Sequence, residues 1–158
     1  MKDLTHMDSQ GRPKMVDVIQ KKDTQRTAVA KGTVYMQPET LERILKGTLK
    51  KGDVLSVAQT AGIMAVKKTW EAIPMCHNIP ISGVEMDMIP DTESSAIHIS
   101  VKAVTYGKTG IEMEALHGVA VAALTIYDMC KAIDRGMRIT DVRLVEKTGG
   151  KSGEFKGE

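Results

Sequence analysis

Residues 105–131 set acids, a histidine and a lysine at a spacing that can do acid–base chemistry. The stretch opens Thr-Tyr-Gly-Lys-Thr-Gly-Ile-Glu-Met-Glu-Ala-Leu and closes Tyr127-Asp128-Met129-Cys130-Lys131. At about 100° per residue, Glu114, His117, Thr125, Asp128 and Lys131 share an arc of roughly 120°, while Glu112 points elsewhere. A lysine and a carboxylate on one face can exchange protons with a ligand in a cleft. On a solvated face the same i,i+3 pair contributes only about 0.2–0.5 kcal/mol. Val121 and Leu124 interrupt the arc, and Met113, Leu116, Val119, Ala123, Ile126 and Ile133 occupy much of the remaining circumference. A helix this apolar is expected to be enclosed, by its own sheet or by another subunit. Enclosed charges are then paired or face a polar cleft.

Other candidates lie outside that helix. Lys50-Lys51 and Lys67-Lys68 are solvated surface or parts of a phosphate site, with Lys51 favoured because Gly52 follows it in a loop. His77, after Cys76 and the helix-ending Pro74, is a proton donor, a hydrogen bond to substrate, or a structural histidine. Lys147-Thr148-Gly149-Gly150-Lys151-Ser152-Gly153 is either an anion-wrapping turn or a flexible solvated tail. Neither Gly150-Lys151-Ser152 nor Gly107-Lys108-Thr109 completes a P-loop, because Val145 and Lys102 stand where the first glycine is required. The four histidines show no metal-ligand spacing, so no metal site is expected.

The elements that must position these residues follow from periodicity and punctuation. Residues 26–36 lean to a strand, and Pro38 opens a short helix that Gly47 ends. Asp53 is placed to cap a helix over 54–72, which Pro74 stops. Strands are expected over 79–89 and 96–106, joined by a hairpin-like link at 90–95. The long helix covers 110–134, with Thr109 as a possible cap and Glu112 and Glu114 suited to its first turn. A last strand covers 137–145. The order β-α-α-β-β-α-β predicts a ferredoxin-like α+β sandwich, an antiparallel sheet with helices on one face. The 158 residues make one domain, with 1–25 as an N-terminal arm and 146–158 as a flexible Gly/Lys-rich tail.

Composition narrows the function. Aromatics are only 3%, which argues against base stacking, and a net charge of +2 is too balanced for a general polyanion binder. A local basic site for a small anion remains open. Cys76 and Cys130 read as free thiols in a reducing cytosol. With no membrane span and no secretory segment at the N-terminus, a soluble cytoplasmic protein is expected.

Several motifs together resemble one family across nearly the whole chain. They are Leu4-Thr5-His6-Met7-Asp8, Met15-Val16-Asp17-Val18, Lys51-Gly52-Asp53-Val54, Cys76-His77, the segments 107–116 and 122–132, and Gly149-Gly150-Lys151-Ser152-Gly153. The chain is similar to the MoaC family of molybdenum-cofactor biosynthesis. That resemblance implies conversion of 3′,8-cyclo-7,8-dihydroguanosine 5′-triphosphate to cyclic pyranopterin monophosphate and pyrophosphate. It also implies a homohexamer, a trimer of dimers with active sites at subunit interfaces. It marks Asp128, Lys51 and Lys131 as catalytic, and the segments Met75-Cys76-His77 and Met113-Glu114 as substrate-contacting. Glu112, Lys67 and Lys147 are assigned to the same cleft. Met75 and Asn78 depart from the family's usual Leu and Pro. No cofactor is implied beyond Mg²⁺ that can accompany the triphosphate, and neither nucleic acid nor membrane is an expected partner. Two other classes compete: a nucleotide-binding module without turnover, which would release no pyrophosphate, and a structural oligomerisation domain, which would tolerate loss of Asp128 and Lys131.

Overall fold

The computed structural model describes residues 10–151 and 153–157. The motif at residues 4–8 and Ser152 lie outside the described residues. Five strands and four helices run in the order β1 (Thr24–Tyr35), α1 (Pro38–Leu45), α2 (Val54–Lys67), α3 (Thr69–Ala72), β2 (Gly83–Asp91), β3 (Ala96–Gly107), α4 (Glu112–Cys130), β4 (Arg138–Thr148) and β5 (Phe155–Lys156). The sheet order is β2-β3-β1-β4-β5 and every pairing is antiparallel. The first four strands have the order of a ferredoxin-like α+β fold, as expected from the sequence.

Alternation drives the sheet. Ile97, Ile99, Val101 and Ala103 of β3 are buried at every second position, beside Ala28, Ala30 and Val34 of β1. Helices α2 and α4 cover that face, and α4 contributes Ala115, Val119, Ala122, Ala123 and Ile126 to the same core. The two helices approach closely at Gly62 and Gly118. A Cβ on Gly62 would stand 2.9 Å from the Gly118 carbonyl oxygen and 2.3 Å from Met86 Cε.

Several element boundaries differ from the sequence expectation, each for a local reason. The helix expected over 54–72 breaks at Lys68, where Thr69 Oγ1 donates to the Ala65 and Val66 carbonyls and competes with the helical ladder. The helix expected over 110–134 stops at Cys130. Beyond it the buried Asp134 accepts from the Gln37 backbone N–H at 2.8 Å and from Thr40 Oγ1, capping α1 from a distance. Asp53 caps α2 by accepting from the Ser56 N–H, as read from the sequence. Thr109 does not cap α4; Ile111 holds that position with no side-chain hydrogen bond. The strand expected from residue 79 begins at Gly83, and the preceding segment is tied to β3 by Thr105 Oγ1 donating to the Pro80 carbonyl. The tail expected from 146 is partly sheet: β4 runs to Thr148, and β5 pairs Lys156 with Glu146 and Phe155 with Lys147.

The Gly62–Gly118 crossing yields a test. Gly62→Val should destabilise the protein by about 1–3 kcal/mol through overpacking, although a side chain there would raise helix propensity. The urea midpoint should fall; an unchanged midpoint would mean that the helices do not touch there.

Candidate active site

Two groups of polar side chains flank α4, one at each end. At its C-terminal end, Asp128 is bridged by two lysines. Lys51 Nζ donates to Asp128 Oδ2 at 3.0 Å and to the Asp128 backbone carbonyl at 2.9 Å, while Lys131 Nζ lies 2.6 Å from Oδ1. Lys131 is the residue that closes the C-terminal end of α4, three positions after Asp128. Lys51 comes from the loop before α2, where Gly52 adopts a left-handed φ of 90° and Asp53 starts the helix. All three side chains are about half exposed (Lys51 48%, Asp128 58%, Lys131 53%), so the cluster is a surface feature of the single chain. Hydrogen bonds and charge from Lys131 first, then Lys51, hold the Asp128 carboxyl below its ordinary range. Asp128 in turn raises Lys131 above the usual lysine range.

At the N-terminal end, a cavity of about 270 Å³ is lined by Met75, Cys76, His77, Glu112, Met113 and Glu114, together with residues of the arm and the 109–110 turn. Six of the eight substrate-binding residues expected from the sequence therefore converge on one space. A seventh, Lys147 of β4, pairs with Glu112 at 2.8 Å. Lys67 does not join them; it is exposed on the last turn of α2. His77 is engaged by the arm, its Nε2 lying 2.8 Å from the Val16 carbonyl oxygen. A carbonyl can only accept, so Nε2 carries the proton. Glu114 is only 4% exposed. Burial, with a lesser push from Glu112, raises its carboxyl to about 7. The same burial, with Glu114 nearby, raises the Cys76 thiol. Both cysteines are free, and burial pushes Cys130 to about 11, which leaves it a poor nucleophile.

The two ends do not meet in one chain. Glu114 and Asp128 share a face of α4, but 14 residues at about 1.5 Å each separate them by about 21 Å. Proton transfer needs heavy atoms within roughly 2.6–3.2 Å, or one intervening water. Next to the Glu114 cavity lies a larger one, about 600 Å³, whose wall includes Lys21, Lys22, Arg26, Lys108 and Lys151. Sequence reasoning assigned no role to Lys21, Lys22, Arg26 or Lys108, and read Lys151 only within a segment that was either an anion-wrapping turn or a flexible tail. They are scattered over four segments, and only the 147–153 turn carried a hint of anion binding. Among the described residues no group of three or more His, Cys, Asp or Glu side chains could hold a metal ion, and no helix is long and apolar enough to cross a membrane.

A ferredoxin-like sandwich with a lysine-bridged aspartate and a buried carboxyl of raised pKa is the framework of an acid–base enzyme. Comparison with known proteins narrows it further. The MoaC family model matches residues 15–150. A cyclic pyranopterin monophosphate synthase of Thermoanaerobacter is 58% identical over 155 residues, covering 98% of each chain. One from Listeria monocytogenes is 59% identical over 157 residues, covering 99% of this chain and 97% of its own. One from Desulfatibacillum aliphaticivorans is 54% identical over the whole of this chain and 99% of its own. The chain belongs to the MoaC family.

Glu114 makes stability depend on pH. Its folded pKa stands above its unfolded value of 4.5, so folding favours the protonated form and the carboxylate is the costly one. The cost is absent below about 4.5, grows as pH rises toward 7, and is complete above it. Glu114→Gln should therefore stabilise the protein by up to about 3 kcal/mol at pH 8 and by little at pH 4. Denaturant midpoints measured across that range would show it; a pH-independent difference would mean that the carboxyl is not buried as described.

Proposed function

We propose that this chain is a cyclic pyranopterin monophosphate synthase, as its relatives are named, acting in molybdenum-cofactor biosynthesis. Its substrate would be 3′,8-cyclo-7,8-dihydroguanosine 5′-triphosphate, and its products cyclic pyranopterin monophosphate and pyrophosphate. The observation that carries the reading is the bridging of Asp128 by Lys51 and Lys131. Remodelling a purine-derived ring into a pyranopterin needs several proton transfers, and adjacent cationic and anionic groups can give and take them. In the phosphate step, a substrate hydroxyl oxygen bonds to the α-phosphorus and the α–β bridging P–O bond breaks. The electron pair leaves on pyrophosphate, and the hydroxyl proton passes to a base. In this reading Lys51 and Lys131 are the acid and base, Asp128 holds both ammonium groups in place, and lysine charge stabilises the phosphate oxygens. Met75, Cys76, His77, Glu112, Met113, Glu114 and Lys147 hold substrate, and Lys67, which stands outside their cavity in the single chain, would reach it across a subunit interface. No resident cofactor is part of the proposal, and Mg²⁺ would arrive with the triphosphate.

The separation of the two ends of α4 supports a composite site. In a homohexamer built as a trimer of dimers, the Asp128 cluster of one copy meets the Glu114 cavity of another, and substrate fills the space between them. Val57, Met64, Trp70 and Leu124, apolar yet 42–57% exposed on the helices, are suited to such contacts. Free thiols suit a cytoplasmic enzyme.

Incubation with the cyclised GTP intermediate should release pyrophosphate and a product that oxidises to a fluorescent pterin. Asp128→Asn and Lys131→Ala should each lower kcat by about 10²–10⁴-fold while the protein stays folded and oligomeric. Wild-type turnover by either variant would remove the catalytic assignment, and ligand binding without pyrophosphate release would make the protein a binding module. Light scattering should give the mass of six chains; a monomer at micromolar concentration would overturn the interfacial site.

A further inference from the structure

We propose that His117 is a positioning residue for the reaction: it pins the C-terminal end of α2 to α4 and so aims Lys67 away from its own chain, toward the substrate cavity of a neighbouring copy. This rests on the function proposed above, in which Lys67 reaches substrate across a subunit interface. His117 belongs to the polar arc of α4 together with Glu114 and Asp128, yet its hydrogen bonds run to the end of α2. One stripe of α4 thus serves three ends: Glu114 lines the cavity, Asp128 holds the lysine cluster, and His117, between them, tethers the neighbouring helix.

The tether is specific. His117 Nδ1 lies 3.1 Å from the Ala65 carbonyl oxygen and 3.1 Å from Thr69 Oγ1. A carbonyl can only accept, and an unprotonated Nδ1 would set a lone pair against it, so Nδ1 carries the proton. Thr69 then accepts from the ring while its own hydroxyl proton goes to the Ala65 and Val66 carbonyls, at 3.0 and 3.3 Å. These bonds close the last turn of α2, where Lys68 leaves the helix with φ of −120°. Packing holds the same point: Val66 and Thr69 are buried, and a Cβ on Gly118 would stand 2.7 Å from Val66 Cγ2. Two successive residues of α4, His117 and Gly118, therefore fix the backbone on both sides of Lys67.

That fixation matters for the lysine. The last carbonyls of a helix have no partner within it and attract nearby donors, lysine ammonium groups included. Here His117 and Thr69 fill the carbonyls of Ala65 and Val66, so Lys67 is not drawn back onto its own helix end. The two adjacent lysines also differ. Lys68 Nζ pairs with Glu71 at 3.4 Å, whereas Lys67, exposed on the last turn, makes no ion pair among the described residues. Its long stem keeps freedom at the tip, but the direction in which it leaves the helix is set by the pinned backbone. Ordering done in the folded chain does not have to be done again when ligand binds. Without the pin the end of α2 would fray, as unsupported helix ends do, and Lys67 would turn with it.

The test measures turnover of the cyclised triphosphate, and equilibrium binding of GTP as a probe with the same triphosphate. It compares His117→Ala and His117→Asn, each made in the wild-type and in the Lys67→Ala protein. An Asn side-chain N–H can stand where Nδ1–H stands, and Ala supplies none. His117→Ala should raise KM and weaken GTP binding by about five- to tenfold, with kcat within about twofold of wild type. His117→Asn should recover most of that loss. In the Lys67→Ala protein, His117→Ala should add little, because the side chain through which it acts is gone. An equal loss in both backgrounds would reduce His117 to a support of the fold and overturn the proposal. Wild-type KM and GTP affinity in His117→Ala, or in Lys67→Ala itself, would overturn it too, while leaving the reaction intact. If the wild type makes no pterin product yet GTP binding shows the non-additive pattern, the positioning role stands and the proposed reaction falls.

Discussion

The register of α2 against α4 is the constraint on which the site depends. The two helices lie antiparallel on the sheet and come closest at Gly62 and Gly118, where neither has a side chain to hold them apart. Fixing that crossing fixes what stands opposite the C-terminal end of α4. Eleven residues before Gly62 is Lys51, and ten residues after Gly118 is Asp128, so an antiparallel pair aligned at the glycines brings these two side chains together. The 3.0 Å contact between them follows from a packing decision made well over a helical turn away. Gly52 and the Asp53 cap then keep the loop from wandering.

The same helix treats two of its carboxylates, Glu114 and Asp128, in opposite ways. Asp128, at the open end, lies between two ammonium groups, and its charged form is favoured. Glu114, at the closed end, is taken out of water with no ion pair among the described residues to repay the desolvation, and its neutral form is favoured. A carboxylate that stays ionised and a carboxyl poised near 7 are the two ingredients of acid–base work at neutral pH. Environment, and not residue type, separates them. Keeping Glu114 ionised in that place costs stability.

Much of this was legible in the chain. β3 and α4 announced themselves because long apolar patterns at periods of two and 3.6 have few alternative readings. The Asp53 cap was visible because the residue type and the following apolar run agree. Boundaries failed where a side chain acts across the fold: the Lys68 break depends on Thr69 bonding backward, and the end of α4 on Asp134 reaching α1. The polar arc on α4 was a partial reading of a different kind. Angular periodicity reports which face a residue occupies but not distance along the axis, so Glu114 and Asp128 share an arc and are about 21 Å apart. Lys21, Lys22, Arg26 and Lys108 were invisible as a group for the opposite reason. Each looks like ordinary solvated charge, and only the strand order brings the start of β1, the end of β3 and the end of β4 together at one end of the sheet.

On the function proposed above, charge at that end of the sheet would let a chain with 3% aromatic residues handle a nucleotide-derived ligand. Stacking on aromatic rings would give sequence-tolerant grip on the base-derived ring, yet little discrimination between a triphosphate and a monophosphate. Charge does the reverse. A cavity with several uncompensated cations is strained by self-repulsion when empty, and a polyanion relieves the strain in proportion to its own charge. In the proposed reaction the ligand's phosphate charge is divided between two products, so the relief that bound the substrate is not available to the cyclic monophosphate. On that reading affinity would fall as the chemistry proceeds. The arrangement requires the cations to be held by neutral carbonyls, as Arg26 and Lys108 are, because carboxylate partners would cancel the field before any ligand arrived.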